Sequence, residues 1–210
     1  MPRLAGQIDQ AKAEAMLVAA GQVLSERGLG APVEAIAKRA GVSKQTLYNH
    51  YGGKAGLIAA LIRRRVDQMG AALTDDYGPA NPEAPLAEFA RRLMETLLSP
   101  ANIALTRVAI QGATEAPEVG RVMHEAGALG TRARLAAFLK AETLAGRLCV
   151  DDPIEAAELF TGMVGAQQLR GLLGVAIDDE REAIARQSAV VAKRFVRAYA
   201  PRRRPPANVD

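Results

Sequence analysis

Between Val42 and Lys54 the chain reads VSKQTLYNHYGGK, a short stretch that gathers Lys44, Gln45, Thr46, Tyr48, Asn49, His50 and Lys54 around few apolar residues. Hydrogen bonding to base edges and to anions is what such a set does well. Lysine donates to the acceptors of guanine, glutamine and asparagine pair with adenine, and a tyrosine ring meets a thymine methyl or a phosphate. Lys44, Gln45, Tyr48 and Asn49 therefore fit base edges, whereas Thr46, His50 and Lys54 fit phosphate oxygens. Lys54 stands at the mouth of the next helix, where backbone amides also favour an anion.

The elements around this stretch decide whether those side chains share a face. Met16, Ala20, Val23 and Leu24 give an amphipathic helix over 9–27 that Gly28 ends. Pro32 suits a first helical position, and Val33, Ile36, Ala37 and Ala40 recur at i, i+3, i+4 and i+7 on a short helix that Gly41 closes. Gly41 supplies the left-handed conformation of a sharp reversal, and the hydroxyl of Ser43 caps a third helix, with Leu47 and Tyr51 turned inward beside Val42. Two short helices joined in this way form a helix-turn-helix, whose second helix enters the major groove of DNA. Gly52 and Gly53 break the third helix, and Leu57, Ile58, Leu61, Ile62, Val66 and Met69 define a longer fourth.

The whole chain reads as all-α: alanine is abundant, β-branched residues are few and alternating strand patterns are absent. Beyond the loop DDYGPANPEAP, helices are expected over 85–98, 101–113, 117–148 (open to interruption at Gly127 or Gly130), 153–173 and 179–199, before a basic, proline-rich tail. The expected domains are a helix-turn-helix head over 1–53, a connecting helix over 54–76, a ligand-binding and dimerisation body over 77–200 and a flexible tail over 201–210.

Charge supports this division. The net charge of the whole chain is +4, yet through Arg65 ten basic residues face four acidic ones, so the first third carries +6 and the remainder −2. A basic head on a slightly acidic body fits a polyanion partner for the head alone. No apolar run is long enough for a membrane span and the N-terminus lacks the apolar stretch of a secretion signal, which gives an expectation of a cytoplasmic protein with no membrane partner. With one cysteine and two histidines, no zinc spacing exists, and Cys149 between Leu148 and Val150 reads as a small buried hydrophobe. No cofactor is expected. Nucleophile motif, phosphate-cradling glycine loop and partnered carboxylate pair are all missing, so the chain does not read as an enzyme.

The segment IAKRAGVSKQTLYNHYGGKAGLIAAL, preceded by a helix ending LSERG, resembles the DNA-binding head of the TetR family of bacterial regulators, in its AcrR-like branch. The family marks are the turn glycine Gly41, Thr46-Leu47-Tyr48, His50-Tyr51 and Lys54. The resemblance implies phosphate anchoring by Thr46, Tyr48, His50 and Lys54 and base reading by Lys44, Gln45 and Asn49. Two departures stand out. Ala31-Pro32 replaces the usual threonine or serine, which implies the loss of one phosphate contact and its cap. Gly52-Gly53 and Ala55-Gly56 flank the lysine where polar and acidic residues are usual, which implies a softer start to the fourth helix.

Over 152–174 and 178–201 the chain resembles the last two helices of the family body, which imply a homodimer through a four-helix bundle. Small residues Gly162, Gly165 and Ala166 beside Phe160, Met163 and Val164 allow close helix approach. A two-fold dimer presents two recognition helices to a palindromic operator in double-stranded DNA. The resemblance further implies a small-molecule pocket in the body, for which Met94, Arg107, Gln111, Met123, His124, Phe138, Phe160, Met163 and Gln167 are candidate lining. With aromatic residues at 4%, that lining favours a small hydrophobic effector over a planar cation. The function these features imply is a sequence-specific transcriptional regulator, a repressor released from its operator by an effector. The alternative is a constitutive or architectural DNA-binding protein with no ligand response.

Overall fold

A computed structural model describes residues 10–28, 30–74, 81–115, 117–177 and 180–201. Residues 75–80 of the expected boundary loop, the expected start of the last helix at 179 and the basic tail beyond Pro201 lie outside these residues. The described residues form helices α1 (Gln10–Arg27), α2 (Val33–Ala40), α3 (Lys44–Tyr51) and α4 (Lys54–Gly70), followed by α5 (Glu83–Leu98), α6 (Pro100–Gln111) and α7 (Glu118–Val122). A π-helical segment, Met123–Leu129, leads into α8 (Gly130–Leu144), and α9 (Pro153–Gly165), α10 (Gln168–Leu172) and α11 (Arg181–Ala198) complete the chain. Among the described residues there is no strand.

Two compact units emerge, one from residues up to 67 with 100–130, the other from 68–99 with residues from 131 onward. The first unit holds the head. Its core joins Met16, Ala19, Ala20 and Val23 of α1, Val33, Ile36 and Ala37 of α2, Leu47 of α3 and Leu57 of α4. The spacing of each set fills one face of its helix, so burial of these side chains fixes the helices against one another. Charged groups tie the rim: Arg39 grips Glu26 with two bonds of 2.7 and 2.8 Å, and Arg64 pairs with Glu14. In the same unit the π-helical segment packs on α4, where a Cβ at Gly127 would stand 3.4 Å from Ile62. The helix predicted over 117–148 instead runs without a gap from Glu118 to Leu144, and the interruption left open at Gly127 or Gly130 takes the form of a widened turn over Met123–Leu129.

In the second unit α5, α9 and α11 share a core. Leu86, Phe89, Ala90, Leu93 and Met94 of α5 meet Phe160 of α9 and Ile184, Val191 and Phe195 of α11. Phe89, Phe160, Phe195 and Tyr199 form a chain of rings with centroid separations of 6.3, 5.0 and 4.6 Å. Asp152 caps α9 by accepting from the amides of Ile154 and Glu155, with Pro153 in the first turn. The helix predicted over 153–173 is in fact two, α9 and α10, parted at Ala166 and Gln167. Cys149 corrects the sequence reading. It is exposed while Leu148 and Val150 are buried, because this segment is not helical and successive side chains alternate in direction. Its amide donates to the Tyr199 carbonyl at 2.8 Å.

Candidate nucleic-acid interface

The turn between α2 and α3 has the form that its residues dictate. Gly41 sits at φ 67°, and its amide and that of Val42 close α2 on the carbonyls of Lys38 and Ala37. The Ser43 hydroxyl accepts from the Thr46 amide at 3.0 Å and also bonds the Thr46 hydroxyl at 2.8 Å, so Thr46 belongs to the cap box as well as to the surface. α2 itself starts at Val33, so Pro32 is its extended N-cap and not the expected first helical residue, and it offers no side-chain cap. This matches the departure noted in the sequence.

Inside the head, Leu47 is wholly buried and Tyr51 half-buried, its hydroxyl donating to the Ala13 carbonyl at 3.3 Å. Burial pushes the Tyr51 hydroxyl pKa up. With those two side chains inward, Lys44, Gln45, Tyr48 and Asn49 all stand exposed on the opposite side of α3. They are joined to each other. Gln45 Nε2 donates to Asn49 Oδ1 at 2.7 Å, one turn apart, and the Lys44 ammonium lies 5.7 Å from the centroid of the Tyr48 ring. His50 is exposed at the end of the helix, its ring edge-on to Tyr51 at 4.4 Å.

Two residues occupy surroundings that sequence alone did not reveal. Lys54, at the start of α4, donates from Nζ to the Ala31 carbonyl at 2.7 Å and is half-buried, and burial lowers its pKa. It therefore clamps α4 to the segment leading into α2 in addition to any anion it meets. Glu34, counted in the sequence only as a charge, pairs with Lys44 at 2.5 Å. The hydrogen bond from Lys44 holds the Glu34 carboxyl below its usual range, helped by its own backbone amide, and raises the Lys44 pKa in turn. A carboxylate in the first turn of a helix that lacks a capping hydroxyl was the available signal.

Candidate ligand residues divide between the units. Arg107, Gln111 and His124 are exposed and Met123 half-buried in the first; Met94 and Phe160 are packed in the core of the second, with Phe138 and Gln167 half-buried and Met163 exposed. Gln167 Nε2 donates to Gln187 Oε1 at 2.5 Å, while its own Oε1 is buried and accepts no hydrogen bond. Among the described residues no helix is long and apolar enough to cross a membrane.

Similarity to known proteins agrees with this geometry. Residues 16–61 match the profile of bacterial regulatory proteins of the tetR family, and residues 84–201 match that of the C-terminal domain of AefR-like transcriptional repressors. A 55-residue stretch is 44% identical to the HTH-type transcriptional activator FasR of Mycolicibacterium smegmatis, covering 26% of this chain but only 25% of that relative. Among solved structures, the flavonoid-responsive regulator FrrA is 32% identical with a TM-score of 0.61, over 93% of this chain and 100% of its own. A TetR transcriptional regulator of Agrobacterium tumefaciens is 26% identical with a TM-score of 0.69, over 93% and 97% of the two chains. A TetR-family regulator of Mesorhizobium loti reaches a TM-score of 0.73 at 24% identity, over 92% and 100%, and shows the shared fold.

Proposed function

We propose, since the chain belongs to the TetR family and is therefore a DNA-binding transcriptional regulator and not an enzyme, that it is a cytoplasmic repressor that leaves a palindromic operator when a small hydrophobic effector binds its body. The observation that carries the base-reading half of this proposal is the exposed set Lys44, Gln45, Tyr48 and Asn49 on the side of α3 opposite the buried Leu47. Its donors and acceptors match base edges in the major groove, with Thr46, His50 and Lys54 toward phosphate. The match of the body to AefR-like repressors supports repression. Activation is the second reading, favoured by the relative named as an activator, to which the 55-residue stretch is 44% identical.

A homodimer is supported by α9 and its C-cap, where Leu159, Gly162, Met163 and the cap residue Ala166 are exposed at i, i+3, i+4 and i+7 on the side away from buried Phe160 and Val164. An apolar stripe with small residues is what a second helix needs for close approach. Effector response is supported by the relative named as flavonoid-responsive and by Gln167 Oε1, a buried acceptor that an effector hydroxyl would satisfy. In the proposed mechanism the effector favours a state in which α4 sets the two heads of the dimer at a spacing that mismatches the operator.

Selection of random duplexes by the purified protein at near-physiological salt tests the proposal. The expected result is a palindromic consensus that candidate flavonoids or other apolar molecules release. Failure to enrich any sequence overturns the base-reading assignment, and an operator complex indifferent to a broad effector screen overturns the ligand response.

A further inference from the structure

Gln45 and Asn49 stand one turn apart on the exposed side of α3, where Gln45 Nε2 donates to Asn49 Oδ1 at 2.7 Å. Among the described residues neither side-chain amide bonds any other group. We propose that Asn49, besides any base it meets itself, is a positioning residue that makes Gln45 selective for adenine over guanine. The inference rests on α3 being the reading helix and deepens that reading, because it assigns both the base and the reason for the choice.

A count of hydrogens shows why. A glutamine amide carries two N–H donors and one carbonyl acceptor. The bond to Asn49 spends one donor, so one donor and the Oε1 acceptor remain for DNA. Adenine presents the complement of that pair in the major groove, the N7 acceptor beside the N6 donor, and is read with the bond to Asn49 intact. Guanine presents two acceptors, N7 and O6, and suits the amide only when Gln45 turns its nitrogen with both hydrogens to the base. That turn leaves Asn49 Oδ1 without its donor at the DNA surface. If the bond to Asn49 holds instead, Gln45 Oε1 faces a guanine acceptor. Either way the cost falls on the guanine complex alone, so it survives when the two complexes are compared. Without Asn49 the terminal amide turns freely, because its torsion is broad and roughly two-fold, and Gln45 then accepts either purine. The helix itself keeps the pair together. Residues at i and i+4 stay neighbours wherever α3 docks, and the wholly buried Leu47 fixes which side of the helix they share.

The test measures binding of the full chain to the selected operator and to duplexes in which one base pair of it is changed. Gln45→Ala first identifies the pair that Gln45 reads, as the position where preference collapses. An adenine–thymine pair should stand there in the wild-type consensus, and replacing its adenine by guanine should weaken wild-type binding severalfold. Asn49→Ala should lower this adenine-to-guanine ratio severalfold, in addition to any change at a position of its own. Asn49→Asp keeps the acceptor and removes the donors; its charge should weaken binding to every sequence, yet hold the ratio at or above the wild-type value. Added to Gln45→Ala, Asn49→Ala should change the ratio at this position no further than about twofold. A consensus pair other than adenine–thymine, an unchanged ratio in Asn49→Ala, a ratio that falls as far in Asn49→Asp as in Asn49→Ala, or an equal effect of Asn49→Ala with Gln45 already removed overturns the role of Asn49 and leaves the reading helix standing. A Gln45→Ala protein with no altered preference at any position overturns base reading by Gln45, and this proposal with it.

Discussion

Lys54 and Gln45 illustrate two kinds of contact in one short stretch. Lys54→Ala should weaken binding to all sequences about equally and reduce the salt slope by roughly one unit, as expected for a lost phosphate contact. Because Lys54 Nζ also holds the Ala31 carbonyl, the same variant should melt at a lower temperature, which a thermal scan will reveal. Gln45→Ala should instead change the preferred base at one operator position, at about 1–3 kcal/mol for the original base, with an unaltered melting temperature. A shift of preference in Lys54→Ala and none in Gln45→Ala would reverse the division of labour. The identities of the exposed α3 residues were legible from sequence because Leu47 and Tyr51 fix which side is inward. Partnerships were not. A backbone acceptor such as the Ala31 carbonyl has no residue type to announce it, and Glu34 reaches Lys44 only through the angle between two helices.

At the scale of elements, local rules carried the reading furthest. A glycine at positive φ, a capping hydroxyl and an apolar stripe at helical spacing each act within a few residues, and together they define α2, the turn and α3. What lay beyond them is the joint between α3 and α4. The sequence led to an expectation of a soft start to α4, but Gly56 is fitted there: a Cβ at that position would stand 1.8 Å from the Tyr51 carbonyl oxygen, a backbone atom that cannot swing aside. Gly56→Ala should therefore cost about 1–3 kcal/mol, read as a lower denaturation midpoint, and should weaken operator binding by displacing α3. An alanine variant as stable as the wild type would mean that α4 yields easily after all. Close approach of two backbones is a property of the packed state, invisible in a glycine that a sequence reader takes for flexibility. The π-helical segment is similar, since nothing in Met123–Leu129 distinguishes a widened turn from an ordinary helix until Gly127 is seen against Ile62.

For the whole molecule, the exposed stripe on α9 yields the decisive expectation. Met163→Glu should place a charge in the middle of the proposed dimer interface and convert the protein to monomers in sedimentation at micromolar concentration, with unchanged helical content. Operator affinity should fall steeply in the same variant because the two half-sites are then bound independently. A Met163→Glu protein that remains dimeric would move the interface elsewhere. The helical class was legible, because periodicity is distributed along the chain, whereas the joining of residues 100–130 to the unit that holds the head was not, since it depends on contacts between distant segments. Among the candidate ligand residues, Met94 and Phe160 have the chemistry of a pocket wall and yet are consumed by packing among α5, α9 and α11. The exposed Cys149 acquires a practical meaning here. As the only thiol in the chain, it accepts a spin label without any mutation, and a symmetric pair of protomers then contains a single label-to-label distance. One spectroscopic ruler, built into the natural sequence, can therefore report on assembly and on each change of state that an effector or an operator imposes.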